Sequence, residues 1–199
     1  MLYSLRYRMR TILVRKVRKD GAFYYAYRGQ LFPESLIAGN RMDDIVATAQ
    51  RFCQGTGIDI GAGRWPLPGA VPIEDEPDQN AYRLGAFADG SLDYVFSSHC
   101  LEHLEHWQEA LRLWIRKLRP DGVLFLYLPH ESMVLWRRGS PLIGAAHKWI
   151  PTWEVLIPFL EGQDMEILEH NPARDDAWSF HIVARKAAAG PAASGGDGE

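Results

Sequence analysis

Apolar residues recur along this chain at two spacings, and the order in which the spacings alternate predicts strands interleaved with helices. Ile45, Val46, Ala49 and Phe52 repeat at helical intervals over 42–52, with Asp43 and Asp44 near the start, where the helix dipole favours acids. Directly after comes Thr56-Gly57-Ile58-Asp59-Ile60-Gly61-Ala62-Gly63, a short apolar run closed by glycines, which predicts a buried strand opening into a turn. Strands are also predicted over 70–74 and over 92–97, the latter introduced by the turn Ala88-Asp89-Gly90-Ser91. Trp107, Leu111, Trp114 and Leu118 share one face of a helix that ends at Pro120-Asp121-Gly122. The stretch 123–128 that follows is apolar on both faces, the signature of a central strand covered by helices.

Thr152 is placed to cap a helix running to Glu161, with Gly162 as its stop. Two last strands are predicted over 165–169 and 179–185, joined by the turn-rich 171–176. The fold class is therefore α/β, with a ligand crevice at the carboxyl ends of the strands. Before this unit, residues 1–39 read as an arm: a helix, the aromatic cluster Phe23-Tyr24-Tyr25-Ala26-Tyr27, then a turn near Pro33. After it, the Ala, Gly, Pro and Ser of 187–199 have nothing to bury and predict a disordered tail. The main domain spans 40–186.

Composition narrows the class. A chain of 199 residues with 47% hydrophobic content supports one well-packed domain. Cys53 and Cys100 sit in apolar stretches without metal-ligand spacing and read as two buried thiols of a reducing compartment; no metal is assigned. The chain contains no apolar run long enough to cross a bilayer, and its first residues are too rich in arginine for a signal peptide, so a cytoplasmic protein is expected.

The net charge of −3 hides an asymmetry. Seven of the 22 basic residues precede the first acid, Asp20, which leaves 15 against 25 acids in the remainder, or about −10. The basic arm suits peripheral contact with an anionic membrane, or a helix packed on its own domain with a solvated basic face. Nucleic acid is a poor partner for so acidic a remainder.

The glycine strand, an acidic residue ending the next strand, and the block Asp93-Tyr94-Val95-Phe96-Ser97-Ser98-His99-Cys100-Leu101-Glu102-His103-Leu104 together resemble the class I S-adenosylmethionine-dependent methyltransferases. The resemblance covers about 56–186 and implies a Rossmann-like, mostly parallel sheet with an antiparallel terminal strand. It implies S-adenosylmethionine as cofactor, with Asp59, Gly61 and Gly63 around the methionine part and Glu74 on the ribose, Asp75 being the alternative. Asn80 and the apolar step at Phe87 fall to the adenine side, and Ser98 to the block after the strand.

One departure stands out. Only 64–70, with prolines at Pro66 and Pro68, connect two strands that should be parallel, and a helical crossover needs a dozen residues or more. The first crossover helix is predicted to be missing or shortened, with Trp65 and Pro66 as a stiff wall by the cofactor. The stretch 75–91 is also short, so one sheet edge should be reduced. This compact form resembles a bacterial subgroup associated with polysaccharide synthesis, and the expected acceptor is a small molecule or glycan precursor methylated on oxygen.

Methyl transfer to a protonated acceptor needs a base. His99, Glu102 and His103 are spaced i, i+3, i+4 and can share one face, and a histidine takes a proton at neutral pH. His99 is the first candidate and His103 the second, with Glu102 and His103 also suited to bracing the turn. His130, closing Leu128-Pro129-His130 at a strand end, is the third. His147, Trp149 and Trp153 are placed to cover the acceptor side or simply to pack.

Overall fold

The computed structural model describes residues 14–33, 43–137, 139–140 and 146–188. Its elements in chain order are β1 (Arg15–Lys19), β2 (Ala22–Tyr27), β3 (Gln30–Pro33), α1 (Asp43–Phe52), β4 (Gly57–Ile60), β5 (Val71–Ile73), β6 (Leu92–Ser98), α2 (Trp107–Lys117), β7 (Leu118–Pro129), α3 (Trp153–Glu161), β8 (Met165–Asn171) and β9 (Ser179–Lys186). Six strands form one sheet in the order β5-β4-β6-β7-β9-β8. β4 runs parallel to β5 and β6, and β6 parallel to β7. The last strand, β9, is antiparallel to both β7 and β8, as expected for the terminal strand.

The sheet is buried on both faces because its central strands alternate two kinds of apolar side chain. In β7, Leu124, Leu126 and Leu128 join the core on one face while Phe125 and Tyr127 join the core on the other. β6 does the same, with Val95 on the aliphatic face and Tyr94 and Phe96 on the aromatic one. On the aliphatic face lie Leu111 and Trp114 of α2 and Leu156 and Leu160 of α3, all inaccessible to solvent. Ile45 and Ala49 of α1 cover the aromatic face. Each such side chain contributes about 1.5–3 kcal/mol by leaving water.

The basic arm is corrected where it is described. Instead of a helix, 14–33 carry a three-stranded antiparallel sheet, β1-β2-β3; the remainder of the predicted helix lies outside the described residues, as does most of the tail. Two tight turns make the sheet. Asp20-Gly21 and Arg28-Gly29 all have positive φ (51°, 83°, 47° and 77°), the backbone whose twist matches paired strands. Phe32 is 1% exposed and packs at 4.9 Å from the Trp178 ring, so the small sheet shares the aromatic core.

The reduced edge is present as predicted. Residues 61–70 form turns and no helix, and between Ile73 and Leu92 the chain makes turns and the isolated bridge Asn80–Arg83. β5 is therefore the outermost strand of the large sheet, with Pro72 at its middle and Val71 46% exposed. At the other end of the domain, Thr152 does stand before α3, but its side chain makes no capping hydrogen bond. Gly162 ends that helix with φ −68°, so its lack of Cβ is not what stops it.

Candidate active site

The carboxyl ends of β4, β5 and β6 open into a cleft of about 470 Å³, in the size range of small-molecule sites. Ile60, Ile73, Ala81 and Leu104 give it apolar walls; Glu74, Asp75, Asn80, His103, His106 and Lys148 supply the polar groups.

Gly61 turns the chain away from β4 with φ +77°, and a Cβ there would stand 2.6 Å from that of Cys100. Two constraints thus demand glycine, one conformational and one steric. Gly63 (φ +58°) turns the chain again, and its N–H donates to Glu74 Oε1 at 2.6 Å. Asp59 sits behind this turn, 1% exposed, with Oδ2 accepting from the Leu67 N–H at 2.8 Å and Oδ1 buried without a partner. Burial pushes its carboxyl up to about 7, opposed by the Leu67 bond and reinforced by the Glu74 carboxylate. Asp59 therefore anchors the connection to β5 from below the cleft. Trp65, expected as a wall, is 41% exposed and is not among the lining residues.

Of the residues predicted to meet a cofactor, Gly61, Glu74 and Asn80 line the cleft, while Asp59, Gly63, Phe87 and Ser98 do not. Asn80 already braces its own turn, accepting from the Tyr82 N–H and donating to the Glu76 carbonyl, both at 2.9 Å. Phe87 packs against the aliphatic core and its carbonyl accepts from Lys117 Nζ. Ser98 is buried, with its hydroxyl unpartnered. Tyr82, Glu105, His106 and Lys148 line the cleft without having been singled out, as does Cys100, which was read only as a buried thiol. Cys100 is half-buried rather than buried, and burial pushes its thiol up to about 12, as it does that of Cys53.

The three candidate histidines separate. His99, with φ +50°, directs Nε2 to Ser179 Oγ at 2.8 Å; that hydroxyl donates to the Ala177 carbonyl, so it accepts from His99. The His99 ring is edge-on to Trp136 at 4.9 Å, behind the cleft. His130 accepts the Ser132 N–H on Nδ1 and lines a shallow depression with Glu131, Trp136, His147 and Trp149 instead of the cleft. Only His103 of the three lines the cleft, half-exposed, with Nδ1 3.1 Å from the Ala146 carbonyl. A carbonyl only accepts, so Nδ1 carries the proton and Nε2 is the other ring atom on offer.

That Nε2 faces Glu102. The carboxylate is wholly buried, neither oxygen receives a hydrogen bond, and His99 Nδ1, His103 Nε2 and His147 Nε2 stand 3.5, 3.8 and 3.8 Å from its Oε1. Burial works to raise the Glu102 carboxyl, but the contact with His99 first, and then the attraction of His103 and His147, hold its pKa below the ordinary value. Burial takes His147 down to about 4 against the attraction of Glu102. Trp149 is packing: its ring stacks on Trp107 at 4.5 Å and its Nε1–H donates to the Leu101 carbonyl. Trp153 is 39% exposed, with His170 5.8 Å away.

Residues 44–126 match a family model described as a methyltransferase domain. No curated protein matches the chain in sequence. Among solved structures, an S-adenosylmethionine-dependent methyltransferase from Thermotoga maritima is similar with a TM-score of 0.56 and 15% identity, covering 71% of this chain and 87% of that one. The Burkholderia thailandensis 1,6-didemethyltoxoflavin-N1-methyltransferase, with its substrate and S-adenosylhomocysteine bound, gives 0.55 and 13%, over 87% and 99% of the two chains. A methyltransferase of the same dependence from Archaeoglobus fulgidus gives 0.52 and 20%, over 72% and 94%. At these identities the likeness speaks to the fold.

Proposed function

We propose that this chain, whose residues 44–126 match a methyltransferase-domain model, is a class I S-adenosylmethionine-dependent methyltransferase that methylates a hydroxyl of a small molecule or glycan precursor in the cleft above β4–β6. The observation that carries the proposal is one cleft of about 470 Å³ lined by Glu74 just after β5 and by His103 after β6.

The residues fit the cofactor. Gly61 is a turn that tolerates no Cβ, Glu74 keeps one carboxylate oxygen beyond its bond to Gly63, and Ile73 and Ala81 offer apolar wall. Glu74 would accept from the hydroxyls of a ribose, with Asn80 toward the adenine side and Gly61 beside the methionine part. When bound, the cofactor supplies a sulfonium methyl group open to in-line displacement. The chain's task is to align the acceptor, exclude water and take its proton. His103, alone of the three candidate histidines in lining the cleft, is the point where that proton is met. Asp59 and Gly63 act through the shape of the turn.

Titration with S-adenosylhomocysteine in a calorimeter tests the cofactor half. Wild type binds, Gly61→Arg does not, and Glu74→Ala binds at least tenfold more weakly; equal affinity in wild type and Gly61→Arg refutes the assignment. Assays over sugars, phenols and amines test the other half, with turnover expected on hydroxyls and reduced in His103→Ala. Turnover confined to amines refutes O-methylation. A second reading, a cofactor-binding scaffold without catalysis, draws on the absent crossover helix between β4 and β5; it predicts binding without turnover on any acceptor.

A further inference from the structure

Glu102 is an unusual group to bury. It has no solvent exposure, neither oxygen receives a hydrogen bond of good geometry, and it lies next in sequence to His103, which lines the cleft. What surrounds it is a convergent set of donors. Glu102 Oε1, His103 and His147 each offer one ligand atom, and the three atoms lie within 4.8 Å of one another. The two imidazole rings meet nearly perpendicular, at 89° and 4.6 Å between centroids, so that both Nε2 atoms aim at the same carboxylate oxygen.

The far side of each ring is also organised. His103 Nδ1 donates to the Ala146 carbonyl at 3.1 Å, and His147 is hydrogen-bonded to the Trp136 backbone in the sense that favours a protonated ring, hence to its carbonyl. Tying the other nitrogen to a backbone carbonyl is how proteins fix the tautomer and aim the lone pair of a metal-binding histidine. Two such rings and one carboxylate match the donor set of borderline divalent cations. The ligands come from two separate segments, 102–103 and 147, linked by the Lys148 N–H donating to the Glu102 carbonyl at 2.8 Å.

We propose that Glu102, His103 and His147 bind one divalent cation of the zinc class, at a buried site that reaches the cleft through His103. The cation gives the buried carboxylate a direct ligand bond, and His103, which lines the cleft, places the cation beside the proposed acceptor site. This extends the methyl-transfer reading without depending on it. In the cation-bound state His103 gives its lone pair to the metal, and in the cation-free state that lone pair is available to the acceptor.

Tag-free, chelator-treated full-length protein is titrated with Zn²⁺ in competition with a chromophoric chelator, and separately with Mg²⁺ and with Co²⁺, whose visible absorption intensifies in tetrahedral sites. One Zn²⁺ per chain is expected, with affinity weakened at least tenfold in His103→Ala and in His147→Ala, unchanged in His170→Ala, and at least tenfold weaker binding of Mg²⁺. His103 is half-exposed, so its variant folds even if loss of the buried His147 unfolds the protein; circular dichroism checks both. Absence of stoichiometric Zn²⁺ binding, or affinity unchanged in folded His103→Ala, overturns the proposal. S-adenosylhomocysteine binding is measured on the same samples, so failure of the metal site is distinguishable from failure of the methyltransferase reading.

Discussion

At the scale of single residues, Asp59 links the cleft to pH. The unfolded carboxyl ionises near the ordinary value, whereas burial keeps the folded one protonated up to about 7. Between these values the unfolded chain has lost a proton that the folded protein retains, so stability contributed by this group falls as pH rises, by roughly 1.4 kcal/mol per unit at most. Urea midpoints at pH 5 and pH 8 should therefore fall further in wild type than in Asp59→Asn. Gly61→Ala places a Cβ 2.6 Å from that of Cys100 on a left-handed backbone, and a loss of about 1–3 kcal/mol is expected in the same unfolding measurement. Glycines at 61 and 63 announce such a turn in sequence. Cys100 as the group that excludes a side chain there does not show, because it is 39 positions away and meets Gly61 only once β4 and β6 are paired.

At the scale of elements, α2 is clamped as well as packed. Trp114 Nε1–H donates to the Ala81 carbonyl at 2.8 Å, tying the helix to the segment that carries Asn80 and Tyr82 into the cleft. Trp114→Phe keeps most of the apolar contact but orphans that carbonyl, and a loss of about 1–3 kcal/mol is expected by urea titration. Phe32→Ala tests how the small sheet is joined: as a buried aromatic on Trp178 it should cost about 3–5 kcal/mol in a single transition if 14–33 fold together with the main sheet. The long-period elements were legible because each follows one hydrophobic rhythm over many residues. The small sheet was missed because its strands are short and mostly exposed, and basic residues interleave with Val17 in a pattern that also fits a helix. The readable signal was Asp20-Gly21, a hairpin turn between β-branched and aromatic residues.

At the scale of the whole molecule, charge and topology divide the surface. The first 19 residues hold seven basic groups and no acid, against an acidic remainder. Contact with anionic membranes through this arm is proposed, and is tested as co-sedimentation with phosphatidylserine vesicles that falls with rising salt and weakens on deletion of 1–13, which removes three of the seven basic residues. The site was partly legible at this scale. A cleft at the carboxyl ends of β4–β6 follows from the strand order, but its histidines could not be sorted by spacing. His99 and His103 are four residues apart, yet the left-handed backbone at His99 turns one ring towards Ser179 and away from the cleft lining and leaves the other in the cleft. His147 joins Glu102 through tertiary packing alone.

The truncated flank has one further consequence. Among the described residues no further strand pairs with β5, which forms the margin of the large sheet. The Ile73 carbonyl accepts from Gly61 on the inner side, so by strand alternation Pro72 occupies the outward-facing place where any other residue would present an N–H. A neighbouring chain that tried to zip onto this margin would find the central donor missing. Pro72 is thus a guard on solubility as well as part of a strand. Pro72→Val should leave the monomer's fold intact yet raise self-association, seen as concentration-dependent growth in light scattering.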